Sequence, residues 1–344
     1  MSKKTIRALG VFALVTMLAL SLLLTACTAT KGEPANTGAD ANASTGANTN
    51  TDANANTDDG RISIIATIFA PYDFARQVAG DKADLRMLVP PGAETHSFEP
   101  TPRDILAIEQ CDVFIYVGGE SDEWVDDLLS SINTSNVTTI RLVESVPTVE
   151  EDDSVLVNPA EAEEEEEEGA VDEHVWTAPA NAKLITEAIA RALEQVDPAN
   201  ASTYQENATS YLAKLDELDA EFRGIVADGK RTTLVFGDRF PFRYFADEYG
   251  LTCYAAFPGC STATEASAQT VAALIDIVRT EGIPVVFYRE LSEPKIAEAI
   301  AAETGVQALL FHSCHNIGQA DFDAGETYLS IMERNADNLR IALN

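Results

Sequence analysis

Histidine occurs only four times in the 344-residue chain, at positions 96, 174, 312 and 315, so any chemistry needing several imidazoles must draw on this small set. Basic residues are also few: 23 Lys and Arg stand against 56 Asp and Glu, for a formal net charge of −33. Such a chain disfavours nucleic acid and anionic lipid surfaces as partners and concentrates cations around itself. The metalloprotease pattern His-Glu-x-x-His is absent, and so is the Gly-x-Ser-x-Gly turn of serine hydrolases. A zinc hydrolase would then need some other arrangement of three protein ligands, an open water position and a general base. No enzyme activity is expected.

Long apolar runs are missing except at the start, where Val11 to Leu24 follows Lys3, Lys4 and Arg7 and precedes Leu24-Thr25-Ala26-Cys27. This is the order of an export signal, and the run is short for the ~20 residues of a membrane span. The Leu-Thr-Ala-Cys segment resembles a bacterial lipobox, which implies cleavage before Cys27 and lipid attachment there. Loss of residues 1–26 removes three positive charges and no negative one, taking −33 to −36. Residues 31–60 are almost entirely Ala, Asn, Thr, Gly and Asp, too polar to bury a core, and read as a flexible tether. A second polar stretch, Glu161 to Glu168 interrupted only by Ala162, reads as a solvated acidic loop.

From Ile62 onward, short apolar runs alternate with helical patterns, the rhythm of parallel sheets covered by helices. Strands are predicted at Ile62–Thr67, Leu85–Val89, Val113–Val117 and Thr138–Leu142, with helices near 68–79, 103–110 and 122–132. A second set follows at Thr233–Phe236, Cys253–Phe257, Val285–Tyr288 and Ala308–Phe311, with helices near 265–280, 294–303 and 325–342. Between the sets, Tyr204, Ala208, Tyr211, Leu215, Leu218, Phe222 and Ile225 recur at spacings of 4, 3, 4, 3, 4 and 3, an apolar stripe on one long helix. Asp197-Pro198 supplies a capping residue and a first-turn proline for it. The expected organisation is a signal peptide over 1–26, a tether over 27–60, an N-terminal α/β lobe over 61–150, an acidic loop over 151–171, linking helices over 172–229 and a C-terminal α/β lobe over 230–344.

Three histidines follow predicted strand ends: His96 after Leu85–Val89, and His312 and His315 after Ala308–Phe311. His174 falls where the first lobe gives way to the linking helices. Ligands of open α/β sheets bind outside the carboxyl ends of the strands, so the histidines converge on the cleft between lobes. Several neutral imidazoles suit zinc, copper or nickel, whereas manganese favours oxygen donors. Zn2+ is the expected ion, with Mn2+ as the alternative.

Pro91-Gly92-Ala93-Glu94-Thr95-His96-Ser97-Phe98-Glu99-Pro100-Thr101-Pro102 resembles the first metal-ligand motif of the zinc and manganese solute-binding lipoproteins of ABC importers (cluster A-I, zinc type). Val171-Asp172-Glu173-His174-Val175-Trp176 resembles the second. The resemblance spans nearly the whole folded chain. It implies two lobes joined by a long rigid helix, a metal in the cleft, delivery to the membrane subunits of an ABC permease, and a monomer anchored by lipid outside the cell. Two departures stand out. Where the family carries a third histidine this chain has Gly237, in Phe236-Gly237-Asp238-Arg239-Phe240; and the family's fourth ligand, an Asp, falls on His312 of Phe311-His312-Ser313-Cys314-His315. The implied ligands are His96, His174 and His312, with His315 filling the place left by Gly237. Glu94 and Asp172 are candidates to orient imidazoles, and Asp238 to approach the metal or cap the helix after it. A surface adhesin remains a rival without positive support in the residues.

Cys111, Cys253, Cys260 and Cys314 accompany Cys27 in the mature chain. Cys111 reads as a small apolar residue within a strand. Two disulfides are open, Cys260–Cys314 across neighbouring loops or Cys253–Cys260, and Cys314 is also a conceivable metal ligand.

Overall fold

A computed structural model describes residues 60–96, 98–119, 122–151, 153–157, 171–261 and 265–344. The export signal, nearly all of the tether including Cys27, and the Glu161–Glu168 run lie outside the described residues.

The first lobe carries β1 (Ile62–Ala66), α1 (Phe69–Ala79), β2 (Ala83–Met87), α2 (Pro102–Gln110), β3 (Val113–Tyr116), α3 (Glu123–Ser131) and β4 (Thr138–Arg141). Its sheet is parallel, in the order β2-β1-β3-β4. Then α4 (Pro179–Val196) and α5 (Ala201–Asp228) lead to the second lobe: β5 (Thr233–Arg239), α6 (Arg243–Tyr249), β6 (Thr252–Phe257), α7 (Ala268–Glu281), β7 (Val285–Tyr288), α8 (Lys295–Thr304), β8 (Gln307–Leu310), α9 (Gln319–Asp323) and α10 (Tyr328–Leu343). The second sheet is again parallel, in the matching order β6-β5-β7-β8.

At the end of the first motif, Thr101 and Asp104 form a reciprocal capping box, and Pro102 takes the first helical turn, where no backbone donor is missed; together they start α2. In α5 the buried residues are Tyr204, Ala208, Tyr211, Leu215, Leu218, Phe222 and Ile225, the stripe read from the spacing. The helix has 28 residues, about 42 Å of length. Its beginning differs from expectation. Pro198–Asn200 forms a separate 3-10 turn, and Asp197 accepts instead from Tyr204 Oη at 2.7 Å and Asn200 Nδ2 at 2.6 Å.

One continuous apolar core runs from the inner face of the first sheet, through α1, α4, α5 and α10, to the inner face of the second. Two smaller cores fill the outer faces, one holding Ile108, Val125 and Leu128 of α2 and α3, the other Leu274, Val278, Ala297 and Ile300 of α7 and α8. Cys111 is buried just past the end of α2, ahead of β3 rather than inside it. Among the described residues no helix is long and apolar enough to cross a membrane.

Candidate metal centre

His96 stands in the loop after β2, His315 in the loop after β8, and His174 just before a 3-10 turn, Val175–Thr177, that feeds α4. The two strand-end loops are stitched to each other across the lobes. Asn316 Nδ2 donates to Pro90 O at 2.9 Å and Ala93 O at 2.8 Å, Gly92 N to Ile317 O at 2.8 Å, and Phe69 N to His315 O at 3.1 Å. His174 is held by Thr177, whose hydroxyl donates to the His174 carbonyl at 2.9 Å. Trp176 packs behind, its ring 5.0 Å from that of His315 and 5.6 Å from that of His174, while its indole N–H donates to Ser313 O at 2.8 Å.

The result is a cluster: one ring nitrogen from each of His96, His174 and His315 lies within 4.8 Å of the other two. Asp172 Oδ1 faces His174 Nδ1 at 3.1 Å, the geometry in which Nδ1–H donates to the carboxylate and leaves the lone pair on Nε2. That Nε2 and the Nε2 of His315 are both buried with no hydrogen-bond partner. Leaving buried polar atoms unpaired is costly, of order 1–3 kcal/mol each, so two of them on rings of one cluster fit a ligand's donor set. Burial, His174 and the Arg239 and Arg289 guanidiniums hold His96 down at about 2. Burial, with His96 and His174, holds His315 well below the ordinary imidazole value. In His174 burial pulls the same way, but the charge and hydrogen bond of Asp172 outweigh it and the value is raised. Neutral imidazoles present lone pairs, the state in which they bind metals.

His312 is not part of this cluster, contrary to the sequence reading. Its Nδ1 accepts from Cys314 N at 2.9 Å, and Asn335 of α10 holds its backbone on both sides, accepting from His312 N and donating to His312 O, each at 2.8 Å. With Cys314 in the left-handed region at φ 60° and Glu290 accepting from Ser313 N and His315 N, these contacts fold the loop that presents His315. Of the two histidines expected here as ligands, only His315 brings a ring nitrogen to the cluster.

The Gly237 position is closed to any donor. A Cβ built there would come within 2.6 Å of Ala297 Cα and N, because α8 packs its backbone onto β5. Glu94 pairs with guanidiniums rather than with an imidazole, lying 3.8 Å from Arg239 and 3.7 Å from Arg289. Asp238 neither approaches the cluster nor caps α6: it accepts from Arg239 N at 2.8 Å, Arg289 N at 3.0 Å and the Ser292 hydroxyl. The cysteines among the described residues form no disulfide, so neither pairing is present. Cys314 lies within the apolar core, away from the cluster, its thiol raised well above the ordinary value by burial. Cys260 instead lies beside one member of the cluster, His96.

Two residues near His96 escaped the sequence reading. Glu173 Oε1 is 3.6 Å from His96 Nδ1, and donor atoms of His96, Glu173 and Cys260 lie within 4.8 Å of one another. Glu173 was visible only as the neighbour of His174, and Cys260 only as a candidate for a disulfide with Cys314 or Cys253.

A family profile described as zinc-uptake complex component A, periplasmic (ZnuA), matches residues 64–342, and the chain belongs to that family. The chain is 29% identical over 291 residues to the zinc-binding protein AdcA of Streptococcus pyogenes serotype M6, covering 82% of this chain and 56% of that protein. It is 27% identical over 293 residues to the high-affinity zinc uptake system protein ZnuA of Bacillus subtilis strain 168, covering 82% and 88%. Among solved structures, the Zn(II)-bound ZnuA-like domain of Streptococcus pneumoniae AdcA superposes with a TM-score of 0.69 at 28% identity, covering 83% of this chain and 99% of that one. The chain spans about half the length of the streptococcal relatives it matches.

Proposed function

We propose that this protein captures zinc outside the cell, held to the membrane by lipid on Cys27, and passes the ion to the membrane subunits of an ABC permease. The observation that carries this reading is the trio His96, His174 and His315, two of whose buried Nε2 atoms lack any protein partner. Three imidazoles from three separate segments, two of them on opposite lobes, favour zinc over manganese. Membership in the zinc-uptake family and the zinc-binding names of the relatives support the same ion. The ion is cargo, so the protein need only bind, exclude water and release.

Asp172 fixes the His174 tautomer, the buried walls keep His96 and His315 neutral, and the stitched loops set the rings ahead of the ion's arrival. Isothermal titration of metal-stripped protein with zinc and manganese tests the reading. One zinc per chain, bound more tightly than manganese, is the expected result; tighter manganese binding would overturn the zinc assignment. A metal-bound crystal structure with anomalous signal would name the ion and its ligands together.

A further inference from the structure

Three imidazoles leave a zinc ion one protein donor short of the four that closed sites use. Gly237, where the family resemblance places a further histidine, is sealed by Ala297, so the missing donor must come from elsewhere. The next strand in the sheet is β6, and the segment leaving it, Pro258-Gly259-Cys260, runs directly against the cluster. Gly259 permits the approach: a Cβ there would lie 3.1 Å from His174 Cε1 and 3.4 Å from its Nδ1. The following residue, Cys260, is buried, with its sulfur within 4.8 Å of donor atoms of both His96 and Glu173. Its turn therefore touches two of the three histidines.

We infer that the Cys260 thiolate is the fourth zinc ligand, completing a three-histidine, one-cysteine shell in which His96 is the donor common to both groupings.

This rests on the three-histidine reading of the site. On binding, the S–H bond breaks, its electron pair forms the sulfur–metal bond, and the proton leaves to solvent; nothing is oxidised or reduced. The other described cysteines offer a contrast. Burial pushes the Cys111 thiol up to about 12 and raises those of Cys253 and Cys314 as well, and none of the three is grouped with a histidine donor. Glu173, the other member of the second grouping, is walled in at Gly119 and turned toward His96 Nδ1, which suits it to orient that ring. A soft sulfur donor also adds to the preference for zinc over manganese.

The test is absorption spectroscopy of the full chain loaded with cobalt(II), for the native sequence and for Cys260→Ser. The native protein should show the visible bands of a four-coordinate ion together with near-ultraviolet thiolate-to-cobalt charge transfer, and Cys260→Ser should lose the latter while keeping the visible bands. Zinc affinity of Cys260→Ser should fall at least about tenfold, the lower end of what disturbed outer partners cost, with manganese affinity little changed. Visible bands without charge transfer in the native protein would overturn the thiolate and leave the three-histidine site standing. Charge transfer that survives Cys260→Ser would assign the sulfur to another cysteine and overturn it as well. Failure of the native protein to bind cobalt or zinc would remove both readings. The decisive spectrum is that of the unsubstituted chain, so a folding defect in the variant does not blunt the test.

Discussion

Asp172 grips His174 twice, accepting from its backbone N–H at 2.8 Å and facing its Nδ1 at 3.1 Å, so the imidazole can offer only its Nε2 to the cleft. Asp172→Asn keeps the shape but lets the side-chain amide oppose the required tautomer. Zinc affinity should fall about 10–100-fold, the cost usual for an outer partner of a metal-bound histidine, with the far-ultraviolet circular dichroism unchanged. Competition against a chromophoric chelator measures it; unchanged affinity would mean His174 does not need this partner.

His315→Ala and His312→Ala should separate cleanly. The first removes an imidazole of the cluster and should abolish most zinc binding while sparing the fold. The second deprives Cys314 N of its buried acceptor and should lower stability by about 1–3 kcal/mol, read by denaturant titration of the metal-free protein. If His312→Ala lost zinc as completely as His315→Ala without losing stability, the assignment of the two residues would be reversed.

Gly237→His tests the packing rather than the chemistry. The family resemblance suggests that it would restore a ligand, whereas the 2.6 Å approach to the Ala297 backbone leaves the ring nowhere to go. Stability should drop by about 1–3 kcal/mol or more from overpacking, with no gain in zinc affinity. A thermal melt and a zinc titration on the same sample decide the matter.

Acid should destabilise the metal-free protein. Burial, with neighbouring cationic groups, depresses His96 to about 2 and His315 well below its usual value, and burial lowers His312 despite Glu290. Below the ordinary imidazole value of about 6.5 the unfolded chain takes up protons at these rings that the folded chain refuses, so stability falls as pH drops. Asp122 acts oppositely: burial and then Glu173 raise it to about 7, so the folded carboxyl holds a proton that the unfolded one would release. His174, raised, also acts oppositely at and above the ordinary value, where the folded ring keeps a proton that the unfolded one gives up; well below it both states hold that proton and it contributes no slope. Below the ordinary imidazole value the depressed imidazoles outnumber the single opposing carboxyl, so the melting temperature should decrease between about pH 6 and pH 5; an increase would contradict this balance.

Periodicity made the scaffold legible. Alternating apolar runs located all eight strands to within a few residues, and the stripe from Tyr204 to Ile225 named every buried residue of α5, because burial on one face imposes a regular spacing. It did not reveal α9, too short for a period to show, and α6 entered only as the helix following Asp238. The cluster was partly legible. His96 and His174 lie in recognisable motifs, but the choice between His312 and His315 depends on a left-handed turn at Cys314 and on Asn335 from a distant helix. Likewise the closure at Gly237 depends on α8, and the approach of Cys260 on a glycine packed against a ring. Loop conformation and long-range packing carry no periodic trace in the residues.

The loop bearing His315 is clasped by Asn335 and backed by Trp176, and α10 seals the core shared by both lobes. The three imidazoles therefore cannot meet until the second sheet and this late helix have been laid down. A chain that crosses a membrane unfolded and in order would arrive on the far side with the cluster unassembled. On the proposed reading, such a chain becomes a metal receptor only once it has folded on the far side.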